Sequence, residues 1–455
     1  MKLPMLPLAA LFILAHAATL SAQTYPVPLV NTPLVPSAVT PGSRGFTLKV
    51  NGNGFISASR VFWNGAPRKT TFLSNTLLTA SIPASDIATA STAIVTVANP
   101  GKNHTSNSAY LQVSAPEQTI TMNTIDTGLT TNADPLALDL NGDGIADLIM
   151  QQAFEVDIAL GLGGGNFAAP QRIPFALPVH SMITGVFLNS GKPDIVVVSD
   201  SIYMLANNGS GFFATPRKVL PGRLSVLSLA AADVNGDGLL DLVEADSNGY
   251  VHIYLRKAGS LFQPAITYAA GSSPYSVAIG DLNGDGFADL AVLTLDDTIA
   301  ILLGNGDGTF QPATLYSEGQ NGDFPIPVIL GDFNGDGKLD VARAAGYDLA
   351  GTGVALGNGD GTLQPMQIYQ TSSYGLVAGD FNSDGILDVA TGLNAGGTGI
   401  LVGKGDGTFQ TLYNFDPYPD RAYGVAAADF DNNGRLDVAA AVYDGTTETV
   451  KLYVQ

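Results

Sequence analysis

The chain has no cysteine. Disulfides, thiolate catalysis and Cys-ligated zinc are therefore excluded. Basic residues are scarce too: 20 Lys and Arg stand against 40 Asp and Glu, a formal net charge of -20. No basic stripe exists to neutralise phosphates, so nucleic acid is not an expected partner. Histidine is limited to His16, His104, His180 and His252, with no H-x-x-x-H pair, and no G-x-S-x-G elbow occurs. The apolar run Leu6–Leu14 is too short to span a bilayer, and no later stretch is long and apolar enough. Helical periodicity is missing from the repeated units that fill most of the chain.

What is present is a nine-residue acidic loop. It reads DLNGDGIAD at Asp139, DVNGDGLLD at Asp233, DLNGDGFAD at Asp281, DFNGDGKLD at Asp332, DFNSDGILD at Asp380 and DFDNNGRLD at Asp429. A degenerate copy, VFLNSGKPD, starts at Val186. Successive copies start 47 to 51 residues apart. The six intact loops hold 18 of the 40 acidic residues, so the acidity is concentrated in the repeats.

The spacing D-x-[DN]-x-[DN]-G-x-x-D is that of an all-oxygen cation loop. Positions 1, 3, 5 and 9 offer side-chain oxygens, position 7 a carbonyl, and position 6 a glycine that permits the bend. The candidate calcium ligands are Asp139, Asn141, Asp143, Ile145 and Asp147; Asp233, Asn235, Asp237, Leu239 and Asp241; Asp281, Asn283, Asp285, Phe287 and Asp289; Asp332, Asn334, Asp336, Lys338 and Asp340; Asp380, Asn382, Asp384, Ile386 and Asp388; and Asp429, Asp431, Asn433, Arg435 and Asp437. About six Ca2+ sites are expected. An EF-hand would need Glu at position 12 with flanking helices; only Glu244 matches, and nothing beside it is helical. The rival reading is a set of Asx-turns with no ion. Six loops with three Asp each would then repel themselves. The degenerate loop keeps only Asp194 and should bind no ion.

Each unit reads as four short strands, the content of a propeller blade. In the fourth unit these are 275–280, 290–295, 299–303 and 311–316, with the acidic loop after the first and a Gly-rich turn ending in Phe310 after the third. The last unit stops after its third strand, at Lys451–Gln455, while Thr119–Asp126 aligns with the fourth strand of other units. An N-terminal strand that completes the last blade would leave no open edge. The expected fold is all-β: a seven-bladed propeller of four-stranded blades over residues 117–455, closed by that strand. Residues 24–115 lack the loop and show alternating runs such as Phe46–Val50 and Ala93–Val97, the pattern of a small β-sandwich. Trp63 is read as a core residue of it. Residues 1–22 read as a signal peptide: Lys2, the Leu6–Leu14 run and Ala15-His16-Ala17, with cleavage after Ala22 an alternative. The mature chain is expected to be secreted or at the cell surface, with no transmembrane span.

The stretches VTPGSRGFTLKVNGNGF, VFWNGAPRKTTFLSNTLLTASIPASDI and AIVTVANPG resemble an IPT/TIG immunoglobulin-like domain. The acidic loop with the glycine–Phe turn resembles the FG-GAP/VCBS repeat, as in the propeller of integrin α chains. That resemblance implies calcium loops between the first and second strands of a blade, bracing the ring, and ligand binding on the opposite face. The loops leading into the first strands there offer His180, Tyr275, Tyr374 and Tyr423. The turns between second and third strands offer Asp246, Asp296, Asp297, Tyr347, Asp348, Tyr443 and Asp444. Tyrosines among carboxylates suit sugars or polar peptides, although each also suits an ordinary turn. The expected function is an exported binding or adhesion module for a glycan, peptide or surface protein. The alternatives are a polysaccharide lyase or hydrolase on a propeller scaffold, and a structural module of a surface assembly. No acid is singled out from the repeats as catalytic.

Overall fold

The computed structural model describes residues 25–455 apart from 102, 118, 189–190, 222–225, 258–260, 318–326, 345–350, 370, 372, 395 and 416–420. The expected signal peptide, Tyr347 and Asp348 lie outside the described residues. Two sheets of an N-terminal sandwich come first, one of four strands and one of five. Alternation produces them: in Phe46–Asn53 and Ser91–Ala98, the inward residues Leu48, Val50, Ala93, Val95 and Val97 are fully buried. Trp63 joins this core, 3% exposed, edge-on to Phe46 at 6.5 Å.

Seven four-stranded antiparallel sheets follow among the described residues. The fourth contains Pro274–Gly280, Asp289–Thr294, Thr298–Leu302 and Thr314–Ser317, in that order. Its second and third strands are buried residue after residue, because each blade is covered on both faces by its neighbours. The seventh sheet is assembled from both ends of the repeat region. Arg421–Ala428, Asp437–Tyr443 and Glu448–Val454 are joined on the outside by Asn123–Thr130, with Asn123 opposite Val454. The closing strand thus forms where a strand was expected but runs a few residues further along the chain.

Among the described residues the core of the ring is seven apolar clusters, each shared by two consecutive blades. One joins Phe430, Ala439 and Leu452 of blade seven to Leu148 and Met150 of blade one, so the series closes on itself. Size matching keys the blades together. A Cβ on Gly280, Gly331 or Gly379, each ending a first strand, would come within 2.5, 2.9 and 2.7 Å of Leu339, Leu387 and Leu436. Those leucines occupy position 8 of the next blade's loop. Where the first strand of blade three ends in Ala232, the next loop carries Ala288 instead, in the same cluster.

Candidate functional site

Each acidic loop folds as a chain of Asx turns. In all six intact loops the position-6 glycine N–H donates to Oδ2 of the position-1 aspartate, at 2.8–2.9 Å. The position-3 side chain accepts the position-5 N–H at 2.8–3.1 Å. The position-5 side chain accepts the N–H of position 7, whose carbonyl is one of the expected metal donors.

Position 9 does a different job. Asp147, Asp194, Asp241, Asp289, Asp340, Asp388 and Asp437 are all fully buried. In the six intact loops this aspartate accepts one backbone N–H from position 2 and one from the segment after its blade's third strand, at 2.7–3.1 Å. Asp194 of the degenerate loop also accepts two backbone N–H groups, from Asn207 and from Leu188, which stands one place further on, at position 3. Phe187 of that loop is buried in the cluster between blades two and three.

The donor set fits a hard cation. In the seventh loop, carboxylate oxygens of Asp429, Asp431 and Asp437 lie within 4.8 Å of one another. Burial, reinforced by neighbouring loop carboxylates, pushes Asp233, Asp281 and Asp380 up to about 6. It takes Asp147 to about 6, Asp289 and Asp340 to about 7, and Asp241 and Asp437 to about 8. Asp388 is raised well above the ordinary carboxyl range by the same causes. Such loops hold their negative charge poorly without a counter-cation.

The sandwich sits on this loop face. Val27 N–H donates to Asp233 Oδ2 at 2.8 Å, Asn75 Nδ2 to the Asp285 carbonyl at 3.0 Å, and Ser37 Oγ to Asp380 Oδ2 at 2.7 Å. Arg435 pairs with Glu117 at 2.8 Å. Position-6 glycines give the sandwich room as well as the bend: a side chain at Gly286 or Gly434 would strike Asn75 or Ser91. A cavity of about 1010 Å³ remains between the domains, lined among others by Phe55, Tyr110, Asp139, Asp143 and Asp233. Lys192 of the degenerate loop also reaches it, its Nζ resting against Gly142 of the first loop. The sandwich is thus a domain docked on the propeller.

The residues expected on the opposite face separate into three groups. Tyr374 and Tyr423 meet edge-on, with centroids 5.4 Å apart, and each precedes a glycine. Gly375 and Gly424 approach so closely that no side chain would fit between them. Asp134, unmarked by any motif, lies against Gly424. Solvent reaches Asp134, but the surrounding chain crowds it and pushes its carboxyl up to about 7. Burial and the charge of Asp134 push half-buried Tyr275 up to about 12. His180 is exposed on the same side. Other residues serve their own turns: Tyr443 donates to the Gly445 carbonyl at 2.9 Å, and Asp296 accepts from Thr294 at 2.5 Å. Asp444 caps its turn through Thr446 and Thr447, which holds its carboxyl at about 2. A third group is internal. Asp246 is buried beside His252 at 3.1 Å, and Asp297 is buried 3.9 Å from Arg343.

The fold and its loops define an all-β propeller of acidic repeats carrying a β-sandwich. The FG-GAP-like repeat family matches residues 187–244, 233–292, 281–343 and 380–440, and the IPT/TIG domain family matches residues 30–114. The chain is an FG-GAP repeat protein with an N-terminal IPT/TIG domain. No curated protein matches it in sequence. Among solved structures, the BP39L lectin from Burkholderia pseudomallei is similar at 14% identity and a TM-score of 0.56, over 72% of this chain and 100% of the lectin. A chain from the BBS1N complex with ARL6DN is similar at 14% identity and a TM-score of 0.52, over 74% of this chain and 97% of the other. At such identity the likeness concerns the fold.

Proposed function

We propose that this chain is an exported, calcium-braced propeller that binds a glycan at the channel mouth facing away from the sandwich. The observation that carries the reading is the unequal use of the two faces. The acidic-loop face is covered by the chain's own sandwich. The other mouth gathers Asp134, Tyr275, Tyr374 and Tyr423, rings and an acid that suit stacking and hydrogen bonding to sugar hydroxyls. The likeness to a protein described as a lectin agrees with this reading. Positions 1, 3, 5 and 9, with the position-7 carbonyl, would hold calcium, which when bound neutralises the loop carboxylates. The leader-like N-terminus supports export.

Glycan-array binding by the purified chain tests the site. Tyr423→Ala and Asp134→Asn should each abolish most of the signal without lowering the melting temperature. Full binding by both variants would remove the mouth as the site, and a silent array with binding to a surface protein would replace the glycan. Melting with and without chelator tests the metal: calcium should restore a lost melting temperature. For the hydrolase reading, glycoside hydrolysis ordinarily uses two carboxyl groups, and Asp134 is the acid that lies beside Gly424 at this mouth. Release of reducing ends from polysaccharides would favour that reading instead.

A further inference from the structure

We infer that the IPT/TIG domain acts as an outer shell for the calcium loops, anchored at loop six, so that its docking and the calcium affinity of that loop reinforce each other. This rests on the calcium reading above. Three observations lead to it.

The first is the interface at loop six. Ser37, Gln112 and Ser114 of the sandwich and Asp380 and Ser383 of the loop are each no more than 5% exposed. Ser37 Oγ donates to Asp380 Oδ2, Gln112 Nε2 donates to the Asp380 carbonyl, and Ser383 Oγ donates to Gln112 Oε1 at 3.0 Å. Ser114 and Ser383 share a hydrogen bond at 2.5 Å. A buried, mutually satisfied polar network has one geometry, unlike an apolar contact that can slide.

The second is backbone conformation. Four intact loops place glycine at position 4, with φ between 71° and 83°. Loop six places Ser383 there at φ 58°, a region in which a residue with a Cβ is disfavoured. Its hydroxyl is spent on the sandwich. Loop seven, the other exception, places Asn432 there at φ 65°, and that residue lines the interdomain cavity. The repeat pattern is thus broken at two loops beneath the docked domain.

The third is the position-1 carboxylate. Asp139 and Asp281 receive at Oδ2 the position-6 N–H of their own loops. Asp380 receives that bond at 2.9 Å and the Ser37 hydroxyl besides. Asp233 likewise adds Val27 N–H to its own Gly238 N–H. Donors placed behind a ligating oxygen fix its orientation, and removing one typically costs about 10- to 100-fold in metal affinity. Ser37 and Ser383 are therefore positioning residues.

The test uses the full chain. Calcium titration by calorimetry, with ion counting by native mass spectrometry, would compare wild type with Ser37→Ala and Ser383→Gly. Ser37→Ala should weaken one site about tenfold and leave the total count unchanged. Ser383→Gly, which suits the loop backbone, should speed amide exchange at residues 110–114 and 380–384, and calcium should slow exchange there in the wild type. Two variants that match wild type in affinity and exchange would overturn the inference. So would calcium that loosens the interface, since the domain would then compete with the ion. A wild type that binds no calcium fails the metal reading itself. The exchange comparison without calcium would still report whether Ser383 anchors the domain.

Discussion

Asp194 accepts two backbone N–H groups as its six counterparts do, one of them shifted to position 3, although Val186 and Leu188 have replaced the oxygen donors at positions 1 and 3 of its loop. Position 9 is therefore retained for the fold before it is retained for an ion. Asp194→Ala would leave two buried N–H groups without their acceptor, at about 1–3 kcal/mol each. Urea unfolding should show the same loss with calcium and with chelator. Asp289→Ala should lose more in calcium than in chelator, because it forfeits a bound ion as well. The raised carboxyls carry a second consequence. Their folded pKa values of about 6 to 8 lie above the ordinary 3.8, so folding favours the protonated form. Their stabilising contribution is full below the ordinary value and is lost as pH rises through the folded one. The melting temperature of the chelated chain should thus fall between about pH 5 and pH 8.5. Saturating calcium should flatten that fall, and a chelated chain equally stable at both ends would contradict the assignment.

At the scale of elements, the glycine–leucine keys explain how unequal blades keep one spacing. Gly331→Ala should crowd Leu387 and destabilise by about 1–3 kcal/mol, and Leu387→Ala should leave a cavity worth about 2–5 kcal/mol. Together they recreate the Ala232–Ala288 pairing found between blades three and four. The double variant should therefore lose clearly less than the sum, as read by a double-mutant cycle in urea; strict additivity would mean the two do not meet. These keys also show why the blades were legible in the sequence. Loop, strand and key are set by residues close together and repeated with one period, so local chemistry announces them. The contacts of the docked sandwich were not legible. Ser37, Gln112 and Ser114 recur nowhere, and the bonds from Ser37 and Gln112 to Asp380 span 343 and 268 residues. Asp134 was missed for a related reason, since it lies just outside the repeated loop. The one written clue was the loss of glycine at Ser383 and Asn432, visible only beside the loops that keep it.

At the scale of the whole molecule, a ring of shared clusters has no terminal blade. Every blade is covered on both sides, and the covered loop face leaves the opposite mouth as the broad surface open to a partner. Closure by Asn123–Thr130 against Glu448–Val454 has a mechanical side. Asn123 stands opposite Val454, so the chain enters the ring beside the point where its last strand ends. Tension applied between those two points would peel this strand pair one hydrogen bond at a time, the weakest way to load a sheet. Optical-tweezer pulling from residues 123 and 454 should open blade seven at a lower force than pulling across residues within blade three. A ring that resists heat through closure would then carry, at its seam, a built-in direction of weakness, and the sandwich, bonded to loop six and packed against loop seven, lies beside that seam to share the load.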